Sequence, residues 1–218
     1  MPLRTFKAMT GASLALLLST LASGARADAI PYQTPGVLNP AVYTFTALAT
    51  GDIIAYFAGS TASFDNRLGL LVNGVDTGIV GLDNHASALG QSLDLGHANA
   101  GDTLIFVLHN LSLGQLAYSN PTMNATYDGL LVGTQHVYST LYTATSPIID
   151  SIPNGTFVSW EDLPFPRSDL NYNDLDFVFT NVSVSVPGPI AGAGLPGLIF
   201  GAGLLSWWRR KRKAETAA

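Results

Sequence analysis

Apolar and polar positions alternate in short runs along the middle of the chain, and no long segment has the 3.6-residue period of an amphipathic helix. Glycine, asparagine, aspartate and proline separate these runs, as turn residues separate antiparallel strands. Asn73-Gly74 stands where a two-residue hairpin loop would join two strands. We therefore expect an all-β fold, an antiparallel and jelly-roll-like β-sandwich. The predicted strands are Val42–Leu48, Ile53–Ala58, Leu68–Val72, Gln91–Leu95, Thr103–His109, His136–Thr143, Thr156–Trp160 and Leu175–Val186.

The last of these runs has the clearest alternation. Leu175, Phe177 and Phe179 share one phase, which is typical of a strand that packs against a core. The opposite phase places Asp174 and Asp176 side by side. We therefore expect one apolar face and one acidic face on this strand.

The apolar segment near the N-terminus is of a different kind. Basic residues Arg4 and Lys7 precede the mostly apolar residues 13–22 and the small-residue site Ala25-Arg-Ala27. This order is that of a secretory signal peptide, the alternative being a short amphipathic helix that belongs to the fold. We expect signal peptidase to remove residues 1–27, so that the mature chain begins near Asp28. Because the chain has no cysteine, its stability must come from a core or from bound metal.

The C-terminal region has the features of a membrane span. Residues 190–208 carry no charge, and as a helix they would reach roughly 28 Å, close to the thickness of a bilayer core. The basic run that follows would stay cytoplasmic by the positive-inside rule, which leaves the rest of the chain outside. The alternative is an ordinary single-span anchor whose glycines pack against another helix. The basic run consists of Arg209, Arg210, Lys211, Arg212 and Lys213.

Three features of residues 187–218 occur together: the motif Pro187-Gly188-Pro189, the glycine-rich span and the terminal basic cluster. Together they resemble the PEP-CTERM sorting signal of Gram-negative bacteria, with Gly188 in place of the middle glutamate. The resemblance implies transient anchoring in the inner membrane and recognition by an exosortase, a membrane-embedded cysteine transpeptidase. Cleavage near Pro187 to Pro189 and release or transfer to the cell surface would follow. Proteins of this class usually accompany exopolysaccharide and biofilm production, so exopolysaccharide is a candidate partner in an extracellular matrix.

Charge separates residues 28–186 from the two ends. This body carries two basic and fourteen acidic residues, a formal charge of −12, although the whole chain is at −5. A surface this acidic repels phosphate backbones, so nucleic acid is excluded as a partner.

Five of these acids lie within seventeen residues, between Trp160 and Asp176. Neighbouring carboxylates repel one another and raise one another's pKa, so a dense cluster favours a hard cation, and Ca²⁺ takes six to eight oxygen ligands. The spacing of Asp169 and the two asparagines after it matches the first half of an EF-hand loop, but Asp174 and Thr180 replace the glycine and glutamate that this motif requires. The alternative is a solvated acidic turn. The predicted calcium ligands are Asp169, Asn171, Asn173, Asp174, Asp176, Glu161 and Asp162.

The unit E-D-L…S-D-x-N-Y-N-D-x-D-F, from Glu161 to Phe177, resembles an uncharacterised bacterial extracellular domain with an E-D-L…D-x-D-Y-N-D signature. Residues 136–140 and 155–163 also look like the strands that precede this signature. The resemblance implies a β-sandwich with calcium dependence and supplies no activity. Asn171 stands where that family often has aspartate, which lowers the charge of the ligand set.

No catalytic motif is present: the chain lacks a G-x-S-x-G elbow, an H-E-x-x-H zinc motif and a phosphate-binding loop. We therefore expect a non-enzymatic protein. The alternatives are a carbohydrate-binding, lectin-like module and, after it, a glycan-active hydrolase, which needs two opposed carboxylates. The four histidines, His85, His97, His109 and His136, are scattered and predict no zinc site. Tyr118, Tyr127, Tyr138, Tyr142 and Trp160 could stack on a sugar, but packing in the core or across strands is the favoured interpretation for each of them.

Overall fold

The computed structural model describes residues 30–129, 133–144 and 152–186. The predicted signal peptide and the sorting signal with its span lie outside these residues. Within the described ranges no helix is long and apolar enough to cross a membrane. The strands are β1 (Thr44–Ala47), β2 (Gly51–Ser60), β3 (Asn66–Val72), β4 (Val75–Gly81), β5 (Ser92–Ala98), β6 (Thr103–Asn110), β7 (Gln115–Tyr118), β8 (Val137–Tyr142), β9 (Gly155–Trp160), β10 (Leu175–Thr180) and β11 (Val182–Ser185), with a 3₁₀ turn at Pro121–Met123.

These strands form two antiparallel sheets. The first has the order β11-β1-β6-β3-β4, and β7 pairs with the second half of β6 beside β1. The second has the order β5-β2-β10-β9-β8. The predicted all-β class and antiparallel sandwich are therefore confirmed.

The hairpin predicted at Asn73-Gly74 is present between β3 and β4, where Val72 pairs with Val75. Both turn residues have positive φ, 50° and 80°, as a type I′ turn requires. Two strands were not predicted, β4 with its glycines and polar residues, and the four-residue β7. The long predicted run to Val186 is two strands, because Asn181 at φ 61° ends β10 and redirects the chain into the other sheet.

The core lies between the sheets and is rich in aromatic rings. Phe106 stacks on Phe179 with ring centroids 3.9 Å apart, and Phe45 meets Phe106 edge-on at 5.1 Å. Leu175, Phe177 and Phe179 are fully buried there, which confirms the apolar face predicted for β10. Burial of each such side chain contributes about 2 kcal/mol.

Strand pairing fixes the end of the sandwich at which the acidic residues lie. Leu175 of β10 pairs with Trp160 of β9 and with Ser60 of β2. The residues that follow β9, that precede β10 and that follow β2 are therefore neighbours. The Asp174 N–H donates to the Trp160 carbonyl at 3.0 Å, which ties the two ends of the acidic loop together.

Candidate metal centre

Glu161, Asp162 and Asp174 bring their carboxylates together at this end of the sandwich. One carboxylate oxygen from each lies within 4.8 Å of the others. Glu161 and Asp162 are buried, at 1% and 3% exposure, and Asp174 is half-buried. The antiparallel register of β9 and β10 explains why residues twelve or more positions apart in the loop meet here.

Asp162 is held from several directions. Its Oδ2 accepts a hydrogen bond from Asn66 Nδ2 at 2.6 Å, and its own N–H donates to Asp174 Oδ2 at 2.8 Å. Its carbonyl accepts from the Tyr127 hydroxyl and, at 3.0 Å, from Asn110 Nδ2. The position of this carboxylate is therefore set by strands β3 and β6 as well as by its own loop.

Glu161 is the unusual member of the cluster. Both of its carboxylate oxygens are buried and form no hydrogen bond of acceptable geometry among the described residues, although the Ser168 side chain and the Leu163 main chain lie near enough to lower its pKa in part. A buried ionised carboxylate without donors costs several kcal/mol, so it requires a proton or a cation. The Asn66 amide oxygen is also buried without a partner, and that amide contacts Asp162.

Burial, together with the charge of neighbouring carboxylates, raises the pKa of all three carboxyl groups. Burial raises the pKa of Glu161, and the Asp169 charge raises it further. Burial likewise raises the pKa of Asp174, with a further rise from Asp162, and burial raises the pKa of Asp162. In the absence of a cation the cluster therefore holds protons that isolated carboxylates would release.

Asp169 and Asn171 lie beside the cluster. They line a cleft of about 360 Å³ that Asp162 and Asp174 also line. Their side-chain oxygens already accept hydrogen bonds within the loop: Asp169 Oδ1 from the Asn171 N–H, and Asn171 Oδ1 from the Asn173 N–H, both at 3.2 Å. Asp169 Oδ2 also accepts from Asn171 Nδ2 at 2.8 Å. These residues therefore form turns, as expected for a solvated acidic loop.

Asn173 and Asp176 are placed differently. Asn173 Oδ1 accepts from the Thr61 hydroxyl at 2.8 Å, which anchors the loop to the end of β2. Asp176 is not a member of the cluster. It lies within strand β10, whereas Asp174 lies in the loop before the strand begins at Leu175. The structure therefore does not place Asp174 and Asp176 side by side.

Asp176 is 2% exposed and meets the Ser159 hydroxyl, which also meets the Tyr172 carbonyl oxygen. The Ser159 hydroxyl has one proton, which it can donate to either the Asp176 carboxylate or the Tyr172 carbonyl oxygen. Burial raises the pKa of Asp176 to about 7, which agrees with a carboxylic acid at this position. Asp176 thus has a hydrogen-bonding role that needs no cation.

A second buried acidic group was not found from the sequence. His136 Nε2 lies 3.0 Å from Asp128 Oδ1, and His136 Nδ1 lies 2.9 Å from the Glu161 carbonyl oxygen. Asp128 also accepts from the Thr134 hydroxyl and from the Phe165 N–H at 2.9 Å. Burial alone would raise the pKa of Asp128, but these hydrogen bonds lower it below its ordinary value. Nothing in the spacing of these residues along the chain indicates that they meet.

Of the aromatic residues proposed as sugar contacts, Tyr127, Tyr142 and Trp160 are buried, and Tyr118 and Tyr138 are half-buried. Comparison with protein-family models, curated proteins and solved structures finds no match.

Proposed function

We propose that residues 28–186 form a non-enzymatic domain whose jelly-roll-like sandwich is stabilised by Ca²⁺ bound at Glu161, Asp162 and Asp174. The observation that carries this proposal is Glu161, a carboxylate 1% exposed with no donor to either oxygen, next to two further carboxylates. A cation bound there removes the repulsion and replaces the missing donors. Asp169 and Asn171 line the same cleft and are candidates to complete the ligand set.

The donor chemistry favours calcium over other metals. The cluster offers only oxygen, and no histidine or cysteine belongs to it among the described residues, so a hard cation is favoured over zinc. Mg²⁺ requires near-ideal octahedral geometry and gives up its water reluctantly, whereas Ca²⁺ accepts irregular sets of six to eight oxygens. A set assembled from a strand end and an irregular loop suits calcium.

We further propose that the chain is exported, held transiently in the inner membrane, processed by an exosortase and displayed at the cell surface or in an extracellular matrix. The order of regions in residues 1–27, the uncharged residues 190–208 and the basic run after them support this part.

Calorimetric titration of the full chain with Ca²⁺, in detergent, tests the cation site. Glu161→Gln should abolish the binding heat, because the side chain keeps its size and loses its charge. The matched control is Asp94→Asn, an exposed aspartate on β5, which should bind calcium like the unchanged protein. Equal calcium binding by both variants would remove Glu161 from the site and contradict the proposal.

Intact-mass analysis of the protein recovered from the producing cells tests export. We expect one cleavage near Ala27 and one near Pro187 to Pro189. Replacing the five basic residues 209–213 by glutamine should impair retention or orientation of the unprocessed chain. Recovery of an uncleaved chain with intact termini would contradict the sorting proposal and leave the cation site untouched.

A further inference from the structure

The acidic cluster has one buried side and one open side. Glu161 is 1% exposed, whereas Asp162 and Asp174 also line the cleft of about 360 Å³. Asp169, Asn171, Ser63 and Phe64 contribute to the walls of this cleft. Its volume lies at the lower end of the range for small-molecule sites, which is large enough for one sugar ring.

We propose that the cation held by Glu161, Asp162 and Asp174 keeps coordination positions open to this cleft, and that two vicinal hydroxyls of a neutral sugar occupy them. This inference rests on the proposed cation site. It adds that the site binds a ligand as well as stabilising the fold.

The coordination requirement supports an open site. Ca²⁺ takes six to eight oxygens, so single oxygens from the three clustered carboxylates leave about three to five positions. Bidentate binding or a contribution from Asp169 reduces this number without closing the side that faces the cleft. Water fills such positions in the free protein, and adjacent hydroxyls are spaced to replace two waters together.

Charge selects the class of ligand. Glu161, Asp162, Asp169 and Asp174 bring four formal negative charges against the two positive charges of calcium, so the occupied site stays negative. None of the residues that line the cleft is basic. A carboxylate, sulfate or phosphate would meet net repulsion there, whereas a hydroxyl donates to carboxylate oxygen and coordinates the cation through its own oxygen.

The walls of the cleft match a sugar on both its polar and apolar sides. Ser63 is exposed, and the structure gives its hydroxyl no hydrogen bond among the described residues. Phe64 is half-buried in the same wall, where its ring offers an apolar surface to the C–H face of a sugar. Phe64 takes the role that the sequence suggested for Tyr127, Tyr142 and Trp160, which are buried.

Terbium luminescence tests the open coordination directly. Tb³⁺ replaces Ca²⁺ at oxygen sites, Trp160 beside Glu161 in the chain serves as the light-absorbing donor, and decay rates in H₂O and D₂O count the bound waters. The full chain is used in a detergent without a sugar headgroup. We expect about two or more bound waters, and fewer after addition of methyl α-mannoside or methyl β-galactoside. Galacturonate should displace less water than galactoside.

Calorimetry with the same two glycosides measures the wall contacts. Binding should require Ca²⁺ and disappear in chelator, and Ser63→Ala should weaken it about fivefold while leaving Tb³⁺ binding unchanged. Phe64→Ala should weaken it as well. Asp94→Asn is the control and should change neither measurement.

The two proposals fail in different ways. Tb³⁺ that binds without coordinated water, or with water that neither glycoside displaces, overturns the sugar site and leaves a structural cation. Glycoside binding that persists in chelator overturns cation-mediated recognition. Absence of both Tb³⁺ and Ca²⁺ binding overturns the cation site and the sugar site together.

Discussion

Asp128 and Glu161 are two buried acidic residues that contact the same histidine. His136 reaches the Asp128 carboxylate with Nε2 at 3.0 Å and the Glu161 main-chain oxygen with Nδ1 at 2.9 Å. The Asp128 side chain is also bonded by Thr134 and by the Phe165 N–H, whereas the Glu161 carboxylate has no donor among the described residues. The two residues are similarly inaccessible to solvent, but only the Asp128 carboxylate forms hydrogen bonds.

This difference identifies Asp128 as a structural polar group and Glu161 as part of a site that lacks its ligand. Hydrogen bonds lower the pKa of Asp128 despite its burial, so its charge is stabilised by the protein itself. Burial and the Asp169 charge raise the pKa of Glu161 by more than the nearby Ser168 and Leu163 lower it, so the protein itself does not stabilise this charge.

The largest effect is expected for Asp128→Ala. This change leaves His136 and Thr134 without their buried acceptor, and loss of one partner of a buried pair typically costs about 3–5 kcal/mol. Denaturant unfolding with and without calcium should show the same loss. Asp83→Ala, which breaks the 3.3 Å contact to exposed Arg67, is the control and should cost less than about 1 kcal/mol. Equal costs for the two variants would show that Asp128 is not structural.

Glu161→Gln should have the opposite sign. In chelator, at a pH above the raised pKa of Glu161 (about 7), the variant should be more stable than the unchanged protein by about 1–3 kcal/mol, because a buried charge is replaced by a neutral amide. In calcium it should lose the added stability that the cation provides. Destabilisation in chelator, as for Asp128→Ala, would contradict the view that Glu161 is unsatisfied.

The pH dependence of unfolding should depend on calcium. Without it, the raised pKa values of Glu161, Asp162 and Asp174 mean that the folded state binds more protons than the unfolded state above about pH 4, so stability falls as pH rises. Calcium displaces those protons. Its stabilising effect should therefore grow with pH, by about 1.4 kcal/mol per pH unit for each proton displaced. A calcium effect that is constant from pH 5 to pH 8 (about three units) would contradict the shared site.

Asp176→Asn should leave the calcium response unchanged, the smallest of these effects. The amide oxygen can accept a hydrogen bond from the Ser159 hydroxyl as the carboxylate does, so this hydrogen bond survives. Because burial raises the pKa of Asp176 to about 7, the unchanged carboxyl costs stability as pH rises from about 4 to 7, and the variant should remove that loss. Loss of the calcium response in this variant would indicate that Asp176 is a calcium ligand.

Much of the fold was accessible from the sequence because local pattern and tertiary structure agree there. The alternation of Leu175, Phe177 and Phe179 matches their burial, and Asn73-Gly74 forms the expected hairpin. β4 and β7 were missed because partly exposed, glycine-containing or very short strands have weak periodicity. Backbone pairing with the longer strands β3 and β6 holds them in the sheet, although their own sequences have little β-strand pattern.

The candidate site was accessible only in part. The high density of acidic residues between Trp160 and Asp176 indicated where the site lies. It did not indicate which carboxylates come together, because that depends on the pairing of Leu175 with Trp160. Asn66 on β3, which orients Asp162, is distant in the chain and carries no local signal. The same holds for the contact between Asp128 and His136.

A thermal melt of the full chain in chelator, in magnesium and in calcium tests the central claim most directly. A cation that binds only the folded state stabilises it by about 2.7 kcal/mol at roughly a hundredfold excess over Kd, which should raise the Tm by several degrees. Magnesium should raise it much less, and sodium chloride at equal ionic strength should not reproduce the calcium effect. Equal midpoints in chelator, magnesium and calcium would contradict a calcium site at Glu161, Asp162 and Asp174.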